Sequence, residues 1–435
     1  MLALFDAFDD ATRELMRSLE TAGIAFTPVV VHYDGELPEG ALCPFAVYTG
    51  LERHGEPLFF NEVPVPQWCE IRQGQEVFAE VLREGSTIGR IHYEPNSFRQ
   101  VESVEWLMPG GAPSHTDHYD RYGNRYATTY HSAGVAYQTV YRGPGEWQIE
   151  VHHPTRAVTM QSARGRLAFE SLTDFVSFFL DDQGIDDDRV LINSLSYPLF
   201  VMRQRAQAPN TTLFWQEPGA GPLPGNMVLE LEGPRALERI VFFDEGQQRD
   251  VAAQHPATGV ELAYLSHLGQ FADTRDPEPR RAFILTNSDD IPGLVELLEA
   301  FPDVTFSVAA LTMMSEKLMD LRRTHANLIL IPTINHRGIR DELDRASVYL
   351  DINAGAHVLD VVKAAYHLDL VVLALAAHAK APHHSRVATT VDEVAALLAR
   401  VVTSPEERRR VLDELHRQHG PLSAPEDYRR LLGRG

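Results

Sequence analysis

The sequence predicts an α/β protein with two doubly wound, parallel-sheet domains, one of which is interrupted by an antiparallel β-meander. Short apolar runs alternate with amphipathic segments towards both ends of the chain, whereas the hydrophobic period changes to two between residues 50 and 170. Parallel strands need helical crossovers, while antiparallel strands can be joined by tight turns. We therefore expect an N-terminal domain split into 1–49 and 171–271, an inserted meander at 50–170, and a second α/β domain at 272–435 that includes the terminal helices.

The first segment has the pattern of one βα piece of an α/β domain. Apolar residues at helical spacing over 4–22 predict an amphipathic helix, and the run over 27–33 predicts a strand. Asp34 and Gly35, followed by a Pro/Gly-rich stretch, end that strand. The α/β pattern stops there and resumes only after residue 171.

Turn signals separate the strands predicted for the meander. The expected strands are 88–93, 100–107, 114–118, 125–130, 136–141, 147–152, 157–161 and 166–169. Seven of the 14 tyrosines and three of the four tryptophans lie in this segment. They indicate either a local core with ordinary cross-strand pairs or a face that docks a protein partner. The candidates for a partner interface are Phe59, Phe60, Trp106, Tyr119, Tyr122, Tyr130 and Tyr137.

Buried parallel strands recur after the meander. A helix at 172–181 and strands at 189–192, 212–215, 239–243 and 261–265 would complete the first α/β domain, and 273–280 would be a linker. The second domain would contain strands at 283–286, 304–311, 328–331, 348–352 and 370–376, and helices at 391–402 and 405–419. We expect Ser288 or Asp289 to cap the helix that carries Leu294, and Met313 to lie in the core.

Composition excludes several classes of partner. The net charge of 39 − 61 = −22 argues against nucleic acid and against simple attachment to anionic lipid. Cys43 and Cys69 are the only cysteines, no signal-peptide pattern opens the chain, and the longest apolar run is far shorter than the roughly 20 residues that span a bilayer. We expect a cytoplasmic protein whose membrane association, if any, is peripheral and borrowed from partners.

Ligands of doubly wound sheets bind beyond the carboxyl ends of the strands, here at loops 286–289, 312–315 and 351–354. No GxGxxG follows a strand and no Gly-Lys dipeptide occurs, while Asp289 and Asp290 would repel a phosphate. His115 and His118 would point to opposite faces of a strand, which disfavours a shared metal site. No catalytic residue, metal or cofactor is predicted.

Several longer strings, in order along nearly the whole chain, resemble one family. They are Tyr-Asp-Gly at 33–35 with Pro-Glu-Gly at 38–40, Pro-Leu-Phe-Phe-Asn-Glu-Val-Pro-Val-Pro at 57–66, Asp-His-Tyr-Asp-Arg-Tyr-Gly at 117–123, Leu-Phe-Trp-Gln-Glu-Pro at 213–218, Ile-Leu-Thr-Asn-Ser-Asp at 284–289 and Tyr-Leu-Asp-Ile-Asn at 349–353. The chain resembles the GtfB family, the stabilising, chaperone-like subunits of the O-linked N-acetylglucosamine transferase of the accessory Sec system.

This resemblance implies a GT-B fold, no independent catalysis, and a heterotetramer of two such chains with two catalytic GtfA-type chains that glycosylates Ser-rich repeat adhesins before export. Catalytic relatives carry two Glu separated by seven residues; the best alignment places Ala356 and Ala364 there, and a shift by one gives Gly355 and Lys363. The phosphate-binding Arg/Lys pair of those relatives is also missing from the first two loops of the second domain. The sequence leaves open whether the chain alone forms a homodimer.

Three functions remain open at this point: a non-catalytic stabilising and substrate-binding subunit, which we favour, an active glycosyltransferase with a nucleotide-sugar donor, and a free-standing lectin-like protein. For the first, the meander would pair with that of the catalytic chain, and the cleft between the α/β domains would hold acceptor peptide. Candidate glycopeptide contacts are Asn193, Ser194, Trp215, Gln216, Asn287, Ser288, Thr312, Ser315, Asp351 and Asn353.

Overall fold

The computed structural model describes residues 1–74, 78–95, 97, 99–186, 188–205, 210–217, 221–269 and 277–433. The chain divides into two compact units, the first formed by residues 1–268 together with the residues from 423 on, and the second by residues 269–422. Both contain parallel sheets, and an antiparallel sheet is inserted in the first, so the predicted fold class is confirmed. The predicted boundary between residues 271 and 272 and the first half of the predicted linker lie outside the described residues.

The first unit opens with β1 (Leu2–Phe5), α1 (Asp10–Thr21), β2 (Thr27–Val30) and α2 (Pro44–Thr49). The prediction that a helix begins at residue 4 is wrong, because β1 is a fully buried strand that pairs in parallel with β2. The helix begins only after Asp9, whose carboxylate accepts a hydrogen bond from the backbone N–H of Thr12. Leu4, which lies in β1, fits the helical spacing of the apolar residues that follow, so the pattern alone places it in the helix.

The meander is a ten-stranded antiparallel sheet in which each strand pairs with the next along the chain. Its strands are β3 (Cys69–Gln73), β4 (Phe78–Arg83), β5 (Ser86–Tyr93), β6 (Val101–Leu107), β7 (Pro113–Tyr119), β8 (Arg125–Ser132), β9 (Val135–Tyr141), β10 (Gln148–His152), β11 (Ala157–Ser162) and β12 (Gly165–Phe169). The eight predicted strands are present, and β3 and β4 were missed.

The two halves of the meander bury different residues. At one end, Val81, Ile91 and Val104 pack with Val63 in a small separate core. At the other end, Ile149 and Met160 of β10 and β11 join the main core of the first unit. A sheet with ten strands can be stabilised in this way because each half is covered by a different part of the chain.

The first α/β sheet is completed after the meander. The elements are α3 (Leu172–Asp182), β13 (Arg189–Ile192), α4 (Tyr197–Gln204), β14 (Asn210–Trp215), α5 (Gly225–Glu232), β15 (Arg239–Phe242), α6 (Glu245–Gln254) and β16 (Glu261–Tyr264). All strands are parallel, in the order β16-β15-β14-β13-β1-β2. The order reverses between β1 and β13, and such a topological switch point is where doubly wound sheets bind ligands. We call it the first switch point.

The second unit has the same architecture with a different strand order. Its elements are β17 (Glu278–Leu285), α7 (Leu294–Ala300), β18 (Thr305–Ala309), α8 (Glu316–Thr324), β19 (Leu328–Ile331), α9 (His336–Arg345), β20 (Ala346–Asp351), α10 (Val361–His367), β21 (Val371–Leu375), β22 (Arg386–Ala388), α11 (Val391–Thr403) and α12 (Pro405–His416). The order is β19-β18-β17-β20-β21-β22, which puts the second switch point between β17 and β20.

Two details differ from the sequence-based expectations for the second domain. Ser288 and Asp289 do not cap α7, because the residue before that helix is Gly293, in a left-handed conformation with φ 80°. The last helix, α13 (Pro425–Leu432), packs in the first unit, whereas we had placed all residues from 272 on in the second domain. Its Tyr428 is fully buried in the core of the first unit and donates a hydrogen bond from its hydroxyl to the Ser266 carbonyl at 3.0 Å.

Within the described part of the chain, none of the helices combines the length and the apolar character needed to cross a bilayer.

Candidate functional site

The first switch point is tied together by Asn193. This residue follows β13, and its side-chain Oδ1 accepts a hydrogen bond from the backbone N–H of Asp6, which follows β1, at 2.9 Å. Its Nδ2 donates to the Thr12 hydroxyl on α1 at 2.8 Å. Ser194 donates from its hydroxyl to Asp6 Oδ2 at 3.3 Å. The predicted residues Asn193 and Ser194 therefore both lie at the first switch point, and each forms a hydrogen bond that positions Asp6.

Asp6 faces His32, the residue two positions past the end of β2. The His32 Nε2 atom lies 3.7 Å from Asp6 Oδ1, and the imidazole is 41% exposed. Among the described residues, no donor forms a hydrogen bond with Asp6 Oδ1, although that oxygen is buried. Burial raises the pKa of Asp6, a rise that the neighbouring His32 partly opposes, and burial lowers the pKa of His32. The His32 ring also packs edge-to-face with the Tyr197 ring, with 5.1 Å between the two ring centroids.

Sequence reasoning missed Asp6 because the end of β1 had been assigned to a helix, and it missed His32 because the predicted strand at 27–33 included this residue, whereas β2 ends at Val30. Once residues 2–5 are assigned to a strand, Asp6 becomes its first polar residue at the carboxyl end, which is the signal that would have identified it.

Trp215 and Gln216, at the end of β14, have structural roles. Trp215 is 4% exposed in the core of the first unit, and its buried Nε1 makes no hydrogen bond with any described residue. Gln216 donates from Nε2 to the Ala11 carbonyl at 2.7 Å. A ligand at the first switch point would meet Asp6, His32 and Ser194 before it met Trp215.

At the second switch point, the predicted Asp351 and Asn353 are joined by Lys380. Asp351 is fully buried at the end of β20 and accepts a hydrogen bond from the Lys380 backbone N–H at 2.6 Å. The Lys380 Nζ lies 3.2 Å from Asp351 Oδ1 and donates to the Asn353 carbonyl. The Lys380 side chain is 10% exposed. Sequence reasoning missed it because it lies in the loop after β21, remote in sequence from both partners.

The loops after β17 and β20 cross closely. The Asn353 side chain donates to the Leu285 carbonyl at 3.3 Å and accepts from the Gly355 N–H at 3.1 Å. A Cβ atom added at Gly355 would lie 2.0 Å from Asn287 Oδ1, so a larger residue there would displace the Asn287 side chain. The loops that follow β17 and β20 are therefore in direct contact at the second switch point.

The other predicted contacts of this unit are spread over its loops. Thr286 and Ser288 form a local turn, in which the Thr286 hydroxyl donates to the Ser288 carbonyl at 2.8 Å. Thr312 is exposed, and the Ser315 hydroxyl is buried without a hydrogen bond among the described residues. Met313 is 73% exposed, so the prediction that it lies in the core is wrong.

The two positions that align with the paired glutamates of catalytic relatives are Ala356, exposed in the loop before α10, and Ala364, on α10. Neither side chain has a polar atom that could bind a sugar hydroxyl.

The predicted partner-interface residues fall into two groups. Phe59 and Tyr137 are exposed, at 41% and 36%. The partly buried residues are Phe60, Trp106, Tyr119, Tyr122 and Tyr130. Trp106 packs on the small core and donates from Nε1 to Asp117 Oδ2 at 3.0 Å. Sequence reasoning had not put forward Trp68, which is 84% exposed and has a left-handed backbone with φ 66°, directly before the edge strand β3.

Family models match the chain in four stretches. The GtfB N-terminal domain model matches residues 2–48, the GtfB middle domain model 69–170, the GtfB third domain model 172–251, and the GftB/GlyA-F C-terminal domain model 282–418.

Relatives and solved structures agree with the family models. The chain is 34% identical over 381 residues to the UDP-N-acetylglucosamine--peptide N-acetylglucosaminyltransferase stabilizing protein GtfB of Streptococcus gordonii, covering 86% of this chain and 84% of that protein. It is similar to a chain of a crystal structure of a GtfA/B complex bound to UDP and GlcNAc, with 30% identity, a TM-score of 0.92 and coverage of 100% and 99%. The pneumococcal O-GlcNAc transferase GtfA, at 11% identity and a TM-score of 0.54 over 99% and 98% of the chains, shares the GT-B-like fold.

Proposed function

Because the chain belongs to the GtfB family, we propose that it is the non-catalytic stabilising and substrate-binding subunit of a protein O-GlcNAc transferase. Its partner is a catalytic GtfA-type chain in a 2:2 heterotetramer. The acceptors are Ser-rich repeat adhesins, glycosylated before export by the accessory Sec system. The complex works in the cytoplasm, where it can associate peripherally with the membrane through partners.

The observation that carries the non-catalytic assignment is the buried Lys380–Asp351 pair at the second switch point. A nucleotide-sugar donor has two phosphates that need cationic or N–H partners at strand ends. Here the Lys380 ammonium is already bound by Asp351 and by the Asn353 carbonyl, and Asn287 lies against Gly355 where the two loops cross. A donor would have to displace these contacts and face a buried carboxylate.

Calorimetry with UDP-GlcNAc tests this assignment. The isolated chain should give no heat of binding and no donor turnover, while the complex with the catalytic chain should give both. Turnover by the isolated chain would instead establish an active glycosyltransferase.

The meander provides the surface for the catalytic chain in this proposal. Exposed aromatic side chains are frequent anchors of protein interfaces. Tyr137 is exposed on β9, and Phe59 and Trp68 are exposed in the segment that leads into β3. The sheet also ends in β3 and β12, each of which pairs with one strand within the described part of the chain, and the outer edge of such a strand can accept a further strand.

Co-expression with the catalytic chain tests this surface. Trp68→Ser and Tyr137→Ser should each weaken co-elution, by about tenfold or more in affinity if they are central anchors. Leu229→Ser is the matched control, because Leu229 is 54% exposed on α5, outside the meander. Equal co-elution of all three variants would show that Trp68 and Tyr137 do not lie in the interface with the catalytic chain.

The acceptor peptide binds at the strand ends. Asn193 and Ser194 line the first switch point, while Asn287, Ser288 and Thr312 are at least partly exposed in loops of the second unit. A serine-rich peptide offers hydroxyl and backbone groups that pair with neutral amides and hydroxyls, which suits these residue types.

A further inference from the structure

We propose that Asp6 and His32 together form a ligand-binding site at the first switch point. They recognise an unphosphorylated hydroxyl group of serine or of a sugar. This inference rests on the proposed acceptor role of the chain. It goes further because it names two residues that were not among the predicted contacts and the chemical class that they select.

The first argument is geometric. The backbone N–H of His32 donates to the Asp6 carbonyl at 3.0 Å, which holds the two residues in register. Between the side chains the Nε2–Oδ1 distance is 3.7 Å, beyond the 2.7–3.2 Å of an N–H···O hydrogen bond. The buried Oδ1 makes no hydrogen bond with any described residue, which is an unfavourable state for an acceptor. A displacement of the imidazole by less than about 1 Å would give this oxygen its donor.

The second argument concerns which groups at this site still have hydrogen-bonding capacity. Both side-chain groups of Asn193 are engaged, by the Asp6 N–H and by Thr12, and the Ser194 hydroxyl hydrogen is directed at Asp6. The His32 ring is two-fifths exposed, and its nitrogens form no hydrogen bond with a described residue. It can therefore add a contact without breaking one.

The third argument identifies the chemistry of the contact. A carboxylate next to one imidazole nitrogen favours the tautomer with its hydrogen on that nitrogen, so Asp6 directs the hydrogen of neutral His32 to Nε2. The other nitrogen, Nδ1, is then an acceptor, and a hydroxyl is the group of a serine or a sugar that donates to it. Binding would complete a chain from the ligand hydroxyl through His32 to the buried oxygen of Asp6.

The surrounding charges exclude a phosphorylated ligand. Besides Asp6 itself, Asp9, the capping residue of α1, acts on the pair, because its charge raises the pKa of Asp6. Asp34, beyond the end of β2, interacts with Asp9 in turn. Arg13 of α1 is engaged by Glu36 at 3.1 Å. Among the described residues, the aromatic ring that packs on His32 is that of Tyr197 of α4. A phosphate placed against the imidazole would therefore face carboxylates at close range.

The pair also makes binding depend on pH. Burial raises the pKa of Asp6 and lowers the pKa of His32, so the imidazole is neutral at pH 7.5. When the pH falls below the lowered pKa of His32, Nδ1 gains a proton and stops being an acceptor. Affinity for the hydroxyl ligand should fall in that acidic range and stay constant above it.

The test uses fluorescence anisotropy with the full chain and a fluorescein-labelled 16-residue Ser-Ala repeat peptide. His32→Leu should bind roughly 5- to 10-fold more weakly, the effect of one lost hydrogen bond, whereas His32→Gln should retain part of the affinity. Both variants should lose the acid dependence. His54→Leu is the control, because His54 is 79% exposed and pairs with Glu52 away from the switch point. The same peptide with phosphoserine should bind at least about tenfold more weakly than the unmodified one.

The outcomes separate this inference from the proposed function. Suppose that the wild-type chain binds the peptide, but that the affinities of His32→Leu and Asp6→Asn are within twofold of the wild-type affinity, or that the phosphopeptide binds as tightly as the unmodified peptide. Asp6 and His32 then do not recognise the hydroxyl group, and the acceptor role still stands. If the wild-type chain binds no peptide, the acceptor role fails and this inference fails with it. Melting temperature and co-elution with the catalytic chain verify that each variant is folded.

Discussion

At the scale of single residues, Lys380 is the counter-ion of the buried carboxylate at the second switch point. Its ammonium is 3.2 Å from the fully buried Asp351 carboxylate, and the Lys380 backbone N–H donates to the same group. A buried ion pair adds little net stability over an apolar pair, but removing one partner leaves the other charge buried without compensation. The two substitutions of this pair should therefore be strongly non-additive.

We expect Lys380→Met to destabilise the second unit by about 3–5 kcal/mol, because Asp351 would lose its counter-ion. The double variant Asp351→Leu/Lys380→Met should recover most of that loss. Urea unfolding of the three proteins measures both effects. Arg323→Met serves as the control, because its pair with Asp320 is exposed at 76% and 65% and should contribute less than about 1 kcal/mol. Equal losses for Lys380→Met and Arg323→Met would show that burial does not govern the pair.

The sequence identified residues that follow a predicted strand and missed those brought in from elsewhere. Asp351 and Asn353 were predicted because they follow a run of apolar residues, and the position of a strand end can be read locally. Lys380 comes from the loop after another strand, so its proximity depends on the order of strands in the sheet, which periodicity does not specify. Asp6 was missed for a different reason, since four buried residues fit a helical and a strand pattern equally well.

At the scale of elements, the meander contains a hydrogen-bonded row that crosses its strands. His118 Nε2 bonds the Thr129 hydroxyl at 2.9 Å, that hydroxyl bonds Thr139 at 2.8 Å, and Thr139 bonds His153 Nε2 at 2.9 Å. Each hydroxyl has one hydrogen to donate, so with neutral imidazoles one histidine donates to the row and the other accepts from it. If both imidazoles are protonated, both donate, and one threonine hydrogen loses its acceptor within the row.

Acid should therefore destabilise the meander. Burial lowers the pKa of both His118 and His153, and His131 lowers both further by charge repulsion. The unfolded chain then takes up protons first as the pH falls, so stability is fully present above about pH 6.5 and decreases below it. Asp117, beside His118, opposes part of the effect. The melting temperature should fall between pH 7.5 and 5.5, and fall less in His118→Gln/His153→Gln.

The matched control is His115→Gln. His115 lies on the same strand, β7, but three residues from His118, and its ring stacks on Trp106 at a centroid distance of 6.2 Å. This variant should keep the wild-type dependence on pH. If it flattens the dependence as much as the double variant does, the row is not the source of the acid sensitivity.

The two strands that the sequence did not reveal are neighbours at one edge of the meander. Among the described strands β3 pairs only with β4, and all five of its residues are at least partly exposed. Its apolar residues are only Cys69 and Ile71, which is too short an alternation to predict a strand. In β4, the adjacent residues Val81 and Leu82 are both buried at a register shift, which interrupts the period of two. The other eight strands were predicted within one or two residues.

At the scale of the whole molecule, the first unit is built from chain segments on both sides of the second. The helix α13 returns to it after residue 422, and Tyr428 stacks on Phe214 at 6.5 Å between ring centroids. Ser423 and Ser266 exchange two backbone-to-hydroxyl hydrogen bonds, at 2.7 and 2.9 Å. The predicted helices at 391–402 and 405–419 lie in the second unit as α11 and α12, whereas the residues from 423 on, which had been included in the same domain, belong to the first unit. A short amphipathic helix such as α13 shows that it buries one face but does not show against which core.

We expect Tyr428→Ala to destabilise the first unit by about 3–5 kcal/mol, because it removes a fully buried aromatic ring and leaves a cavity. Tyr428→Phe should cost only about 0.5–1.5 kcal/mol, the value of the hydrogen bond to the Ser266 carbonyl. Hydrogen exchange read by peptide mass spectrometry should show faster exchange in β13 to β15 and unchanged exchange in β20 and β21. Arg430→Ala, a change at a 67% exposed side chain of the same helix, controls for helix propensity. Faster exchange in β20 and β21 with unchanged exchange in β13 to β15 would contradict this prediction, because it would show that α13 stabilises the second unit instead of the first.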